Sequence, residues 1–97
     1  MAVGEIREKF SIYSDSVGNE MGTIGIGETG LVIKMATGEN FVVPYDYVKS
    51  IETRGEITLG KKTATIVFYD VMGDRHELAF MAPEMKLTEL KKACGKG

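Results

Sequence analysis

The sequence has no tryptophan, one cysteine, one histidine and two prolines in 97 residues. With Cys94 as the only cysteine no intrachain disulfide can form, which fits a reducing compartment, and a zinc site of about four ligands lacks its thiols and imidazoles. The single histidine, His76, leaves an acid–base or triad mechanism short of a nucleophile and an orienting partner. No apolar run approaches the about 20 residues that span a bilayer. The opening MAVGEIREKF turns charged before a secretory core can build. Net charge is −2, so the positive field of a general nucleic-acid binder, or bulk attraction to anionic lipid, is missing. Together these absences predict a cytoplasmic, non-catalytic chain with no cofactor.

What is present is an ordinary globular composition, 43% hydrophobic and 27% charged, with twelve glycines. This length holds one core, so residues 1–97 are read as a single domain. Much glycine with little proline points to tight turns between short strands. Alternation bears this out along the chain. Ile6, Glu8, Phe10 and Ile12 share one face of a first strand, with Arg7, Lys9, Ser11 and Tyr13 opposite. SDSVGNE, residues 14–20, is a loop by composition. Ile24 and Ile26 belong to a second strand, and Leu31, Ile33 and Met35 to a third. After the ATGE turn, Phe41 and Val43 begin a fourth that Pro44 ends, since proline cannot donate to a ladder.

Val48 and Ile51, three apart, fit a half-turn ahead of a fifth strand near Ser50 to Ile57. LGKK, Leu59 to Lys62, reads as a further turn. TATIVFYDV, β-branched and aromatic almost throughout, is the strongest strand. Met72-Gly73-Asp74 reverses it, and His76, Leu78 and Phe80 alternate in the seventh. The period then changes. In PEMKLTELKKACG, Leu87, Leu90 and Cys94 recur at three and four, giving a helix with an apolar stripe. Pro83 suits its first turn, Lys91 and Lys92 its last, and Gly95 its C-terminal cap.

Gly25, Gly27 and Gly30 match G-x-G-x-x-G, with Asp46 about 20 residues on, the pattern of a dinucleotide fingerprint. That chemistry needs a helix opening at the glycines, whose N-terminus holds the pyrophosphate. Here Leu-Val-Ile-Lys-Met follows, an alternating strand, and Glu28 puts a negative charge in the supposed anion cradle. A kinase glycine-rich loop does join two strands, but H-R-D and D-F-G are both absent. The stretch is therefore read as a hairpin turning at Glu28-Thr29-Gly30, with Gly30 at positive φ.

The remaining candidates have structural readings. His76 reads as a partly buried, hydrogen-bonded core or rim histidine and Cys94 as a small packed hydrophobe. Tyr45 and Tyr47 are core anchors or a contact surface. Met72, Met81 and Met85 are filling near the last hairpin and helix.

GLVIKMATGENFVVPYDYVKSIE resembles the pleckstrin-homology-like (PH-like) superfold, in particular its small prokaryotic and GRAM-type branches. The matching positions are Val43, Pro44, Tyr45, Val48 and Ile51. TATIVFYDVMGDRHELAFMAPEMKLTELKKAC is similar to the last hairpin and capping helix of that family, so the resemblance spans about Gly22 to Cys94. It implies a mainly β fold, a seven-stranded antiparallel, partly open barrel capped by one C-terminal α-helix.

Members of the superfold bind phosphoinositides, linear peptides or other proteins. The lipid site there draws basic residues from the first strand pair and its loop, whereas SDSVGNEMG carries Asp15 and Glu20 and no lysine or arginine. The resemblance further implies a groove between the fifth strand and the helix, able to accept an extended segment. Its residues here are Lys49, Ile51, Thr53, Arg54, Lys86 and Lys92, whose cations favour an acidic partner. Self-association along the same edge is equally open. The leading expectation is thus a non-catalytic module for a protein or peptide partner, or for a second copy. A membrane or lipid-surface adaptor using a basic turn at Lys61 and Lys62 is the alternative. A single-strand nucleic-acid binder ranks third, against the acidic balance.

Overall fold

The computed structural model describes residues 4–15, 18–58 and 60–95, with backbone alone for 56–58. Seven strands and one helix follow in the anticipated order. They are β1 (Ile6–Tyr13), β2 (Glu20–Gly27), β3 (Gly30–Met35), β4 (Asn40–Pro44), β5 (Val48–Thr58), β6 (Lys61–Tyr69) and β7 (Arg75–Pro83), then α1 (Glu84–Ala93). A short 3-10 turn, Tyr45–Tyr47, joins β4 to β5. All pairings are antiparallel in a single sheet of order β4-β3-β2-β1-β7-β6-β5. The sheet is not closed, so β4 and β5 are its edges. Among the described residues no helix is long and apolar enough to cross a membrane.

The alternation read in the sequence builds one face of this sheet. Phe10, Ile12, Ile24, Ile26, Leu31, Ile33, Val43, Ala64, Ile66, Phe68, Phe80 and Ala82 are all buried. Phe41, on edge strand β4, meets Phe68 of β6 edge-on at 5.4 Å between ring centroids. Phe68 in turn stacks on His76 of β7 at 5.3 Å. An edge strand and the strand next to the opposite edge therefore touch through side chains, and the sheet curls around its core. The helix covers that core with Leu87, Leu90 and Cys94, which are 2%, 0% and 9% exposed. Burying each large side chain of this kind contributes about 1.5–3 kcal/mol. Gly95, at φ +70°, ends the helix, and its N–H donates to the Lys92 carbonyl.

Three local readings need correction. First, the β1 alternation breaks at a bulge. Ile6 pairs with Gly27 and Glu8 with Ile26, which leaves Arg7 as an extra residue. Ile6 is thereby turned to the convex face, 40% exposed, instead of joining Phe10 and Ile12 in the core. Second, Val48 and Ile51 both point inward because Lys49 is bulged between Val48↔Phe68 and Ser50↔Val67. The turn itself lies one step earlier, at residues 45–47. Third, the β2–β3 hairpin turns at Glu28-Thr29. Gly30 is already in β3, paired with Pro44, and is not among the residues at positive φ.

The hairpin after the glycine motif is nevertheless sheet, as its sequence requires. Gly22 is obligatory for a different reason than phosphate binding: a Cβ there would collide with the Lys34 carbonyl oxygen on β3. Leu59, Ser16, Val17 and Lys96 lie outside the described residues.

Candidate interaction site

The six residues expected to form one groove occupy four different surroundings. Ile51 is in the core at 6% exposure. Lys49 and Arg54 line a hollow of about 240 Å³ on the convex face, with Glu52, Thr65, Arg75 and Glu77. Thr53 faces the helix in a cleft of about 200 Å³ whose other walls are Lys62, Glu84, Leu87, Thr88 and Lys91. Lys86 and Lys92 lie on the far flank of α1, against β1. The residues that actually meet between β5 and α1 are therefore Thr53, Lys62 and Lys91, and the Lys91 ammonium stands 3.5 Å from Thr53 Oγ1. Helical phase could have found Lys91, because Glu84, Thr88 and Lys91 share one side of the Leu87–Leu90 stripe and Lys86 the other.

Lys61 and Lys62 are strand residues, paired with Pro83 and Ala82, and not a basic turn. Successive side chains of a strand face opposite ways. The Lys61 ammonium sits 4.8 Å from the centre of the Tyr13 ring, whereas Lys62 enters the β5–α1 cleft. The two charges do not form a common patch.

The far flank of α1 has its own chemistry. Because of the Arg7 bulge, both Arg7 and Glu8 line a cleft of about 400 Å³ with Ile26, Glu89, Lys92 and Ala93. The Lys86 ammonium pairs with Glu8 and lies 4.0 Å from Glu89. A hydrogen bond from the Glu89 carboxyl, and then Lys86, hold Glu8 below its usual range. Glu89 is raised chiefly by the nearness of the Glu8 carboxyl, and then by burial. This cluster fastens the helix to β1.

At the opposite end of the sheet, Asp70 organises the β6–β7 turn. Its Oδ1 accepts from the N–H groups of Met72 and Asp74 at 2.9 and 3.0 Å, and Oδ2 lies 2.7 Å from His76 Nε2. His76 is thus built into a turn, half-buried against Phe68. Tyr45, from the Pro-Tyr-Asp-Tyr stretch, locks the glycine hairpin: its hydroxyl donates to the Gly27 carbonyl and its N–H to that of Thr29. Burial pushes the Tyr45 hydroxyl above its usual range.

The architecture defines the class: a mainly β, open and curled seven-stranded antiparallel sheet with one covering helix. Compared with known proteins, the chain matches no family model and no curated sequence.

Proposed function

We propose that this chain is a PH-like interaction module that takes an extended acidic segment of a protein partner along β5, beside α1. The observation that carries the reading is a juxtaposition. Among the described residues the outer edge of β5 has no neighbouring strand in the sheet, and the adjoining cleft presents Lys62, Lys91 and the Thr53 hydroxyl. Free backbone groups supply affinity for an added strand, and the flanking cations select its charge. The strand order and single covering helix support the PH-like assignment. The separation of Lys61 from Lys62 weighs against the membrane-adaptor alternative.

The test is an amide NMR titration of the full chain with extended peptides carrying Asp and Glu, against neutral peptides of equal length. Shifts should centre on residues 50–54, 62 and 87–91, and Lys62→Glu with Lys91→Glu should abolish them. Acidic peptides that leave these amides unmoved would overturn the proposal. Light scattering distinguishes a second copy as the partner, by a mass rising above 10.6 kDa with concentration.

A further inference from the structure

The convex face of β1, β2 and β3 carries a hollow of about 200 Å³ lined by Ile6, Lys9, Thr23, Gly25, Val32 and Lys34. It faces away from the core and shares no residue with the β5–α1 cleft, so it is independent of the partner reading above. Two features create it. The Arg7 bulge brings Ile6 to this face, where its Cγ2 lies 3.2 Å from the point a Cβ on Gly25 would occupy. Gly25 itself carries no side chain and is buried, and Ile6 packs over its backbone and forms the floor.

Register places the charges. Lys9 stands opposite Gly25, and Gly25 opposite Val32; in a neighbouring row Lys34 stands opposite Thr23. The two lysines thus lie diagonally across Thr23 and Gly25, from the strands on either side. The six lining residues include two ammoniums, one hydroxyl and no carboxylate. Among the described residues neither ammonium has an ion-pair partner. Ile6 and Val32 supply the apolar walls.

Lysine ammoniums act as mobile point charges that accept carboxylate or phosphate without a fixed fork. An apolar cavity of about 150 Å³ suffices for a benzene ring, so about 200 Å³ accommodates one ring and a small anionic substituent. We propose that this hollow binds a small aromatic acid. The ring rests against Ile6 and Val32, and the anionic group lies between Lys9, Lys34 and the Thr23 hydroxyl.

The experiment is an amide NMR titration of the full chain with benzoate and with phenyl phosphate. Benzyl alcohol and inorganic phosphate, each lacking half of the chemistry, serve as controls. Both aromatic acids should give saturable shifts centred on residues 6, 9, 23–25, 32 and 34, and both controls should bind at least tenfold more weakly. Lys9→Gln and Lys34→Gln, on the surface and harmless to folding, should each weaken binding about tenfold, the loss of one charge-assisted contact. Gly25→Val should displace Ile6 and so disrupt the hollow; its amide spectrum reports whether the fold survives, and the lysine variants decide the matter where it does not. The proposal is overturned by shifts that never saturate, by inorganic phosphate binding equally well, or by affinities unchanged in both lysine variants.

Discussion

Replacing Leu90 by alanine isolates what α1 does for this fold. Leu90 is fully buried beside Leu87, and both project into the core formed by the sheet. Truncating a fully buried leucine removes its transfer free energy and leaves a cavity, together about 2–5 kcal/mol. Total stability for a domain of this size is about 5–15 kcal/mol, so one such change consumes a large fraction of it. At about 4–8 °C per kcal/mol for a small domain, Leu90→Ala should lower the melting temperature by roughly 10 °C or more. Met85 is the internal control: it lies on the same helix but is 77% exposed. Met85→Ala should stay within about 0.5 kcal/mol of the parent. Thermal and urea unfolding followed by far-ultraviolet circular dichroism measures both variants. One cooperative transition, displaced in Leu90→Ala and unmoved in Met85→Ala, is the expected result. Coincident transitions for the two variants would refute the reasoning, as would a helix that melts ahead of an unchanged sheet, because α1 would then be an appendage and not part of the core.

Tyr45→Phe keeps the ring and deletes only the hydroxyl that donates to the Gly27 carbonyl; a loss of about 0.5–1.5 kcal/mol in urea unfolding is expected. Acid should act through Asp70, which hydrogen bonds with His76 and then Asp74 hold below its ordinary 3.8. A carboxyl depressed by folding stabilises the native state above its unfolded value, and that contribution disappears as pH falls through the lower folded value. The urea midpoint of the parent should therefore exceed that of Asp70→Asn at neutral pH and converge on it below about 3.8. A gap that stays constant across that range would show that the turn does not depend on the charge.

The parts of this fold that were legible in the sequence are those governed by period alone. Phe10 and Ile12, Ile24 and Ile26, and Leu31 and Ile33 alternate without interruption, and each pair is buried as read. Leu87, Leu90 and Cys94 recur at helical spacing and land on the core. Where the reading failed, the deciding interaction was a pairing between distant segments. Nothing near Lys49 announces that Val48 will face Phe68 while Ser50 faces Val67, because a bulge is set by the partner strand's register and not by local propensity. The hairpin at Gly30 was recognisable as sheet, yet its turn chemistry was misplaced by one residue, since Glu28 and Thr29 suffice once Tyr45 holds both sides of the loop. The groove residues scattered for the same reason. Strand parity alone separates Ile51 and Thr53 from Arg54, and helical phase separates Lys86 from Lys91.

One inserted residue shows how much such a register shift can carry. Without the extra residue at Arg7, strict alternation would bury Ile6 with Phe10 and turn Arg7 to the convex face. With it, Arg7 and Glu8 both reach the cleft beneath α1, where Glu8 meets Lys86. Ile6 moves to the opposite face and walls the hollow over Gly25. The concave face gives up a hydrophobic side chain and gains Arg7 beside Glu8, which already shares the Phe10 face and fastens the helix through Lys86. The convex face gains an apolar side chain that covers Gly25 beside its two lysines. Deleting Arg7 would therefore disturb both faces together, which no side-chain substitution at Ile6 or Glu8 alone can do.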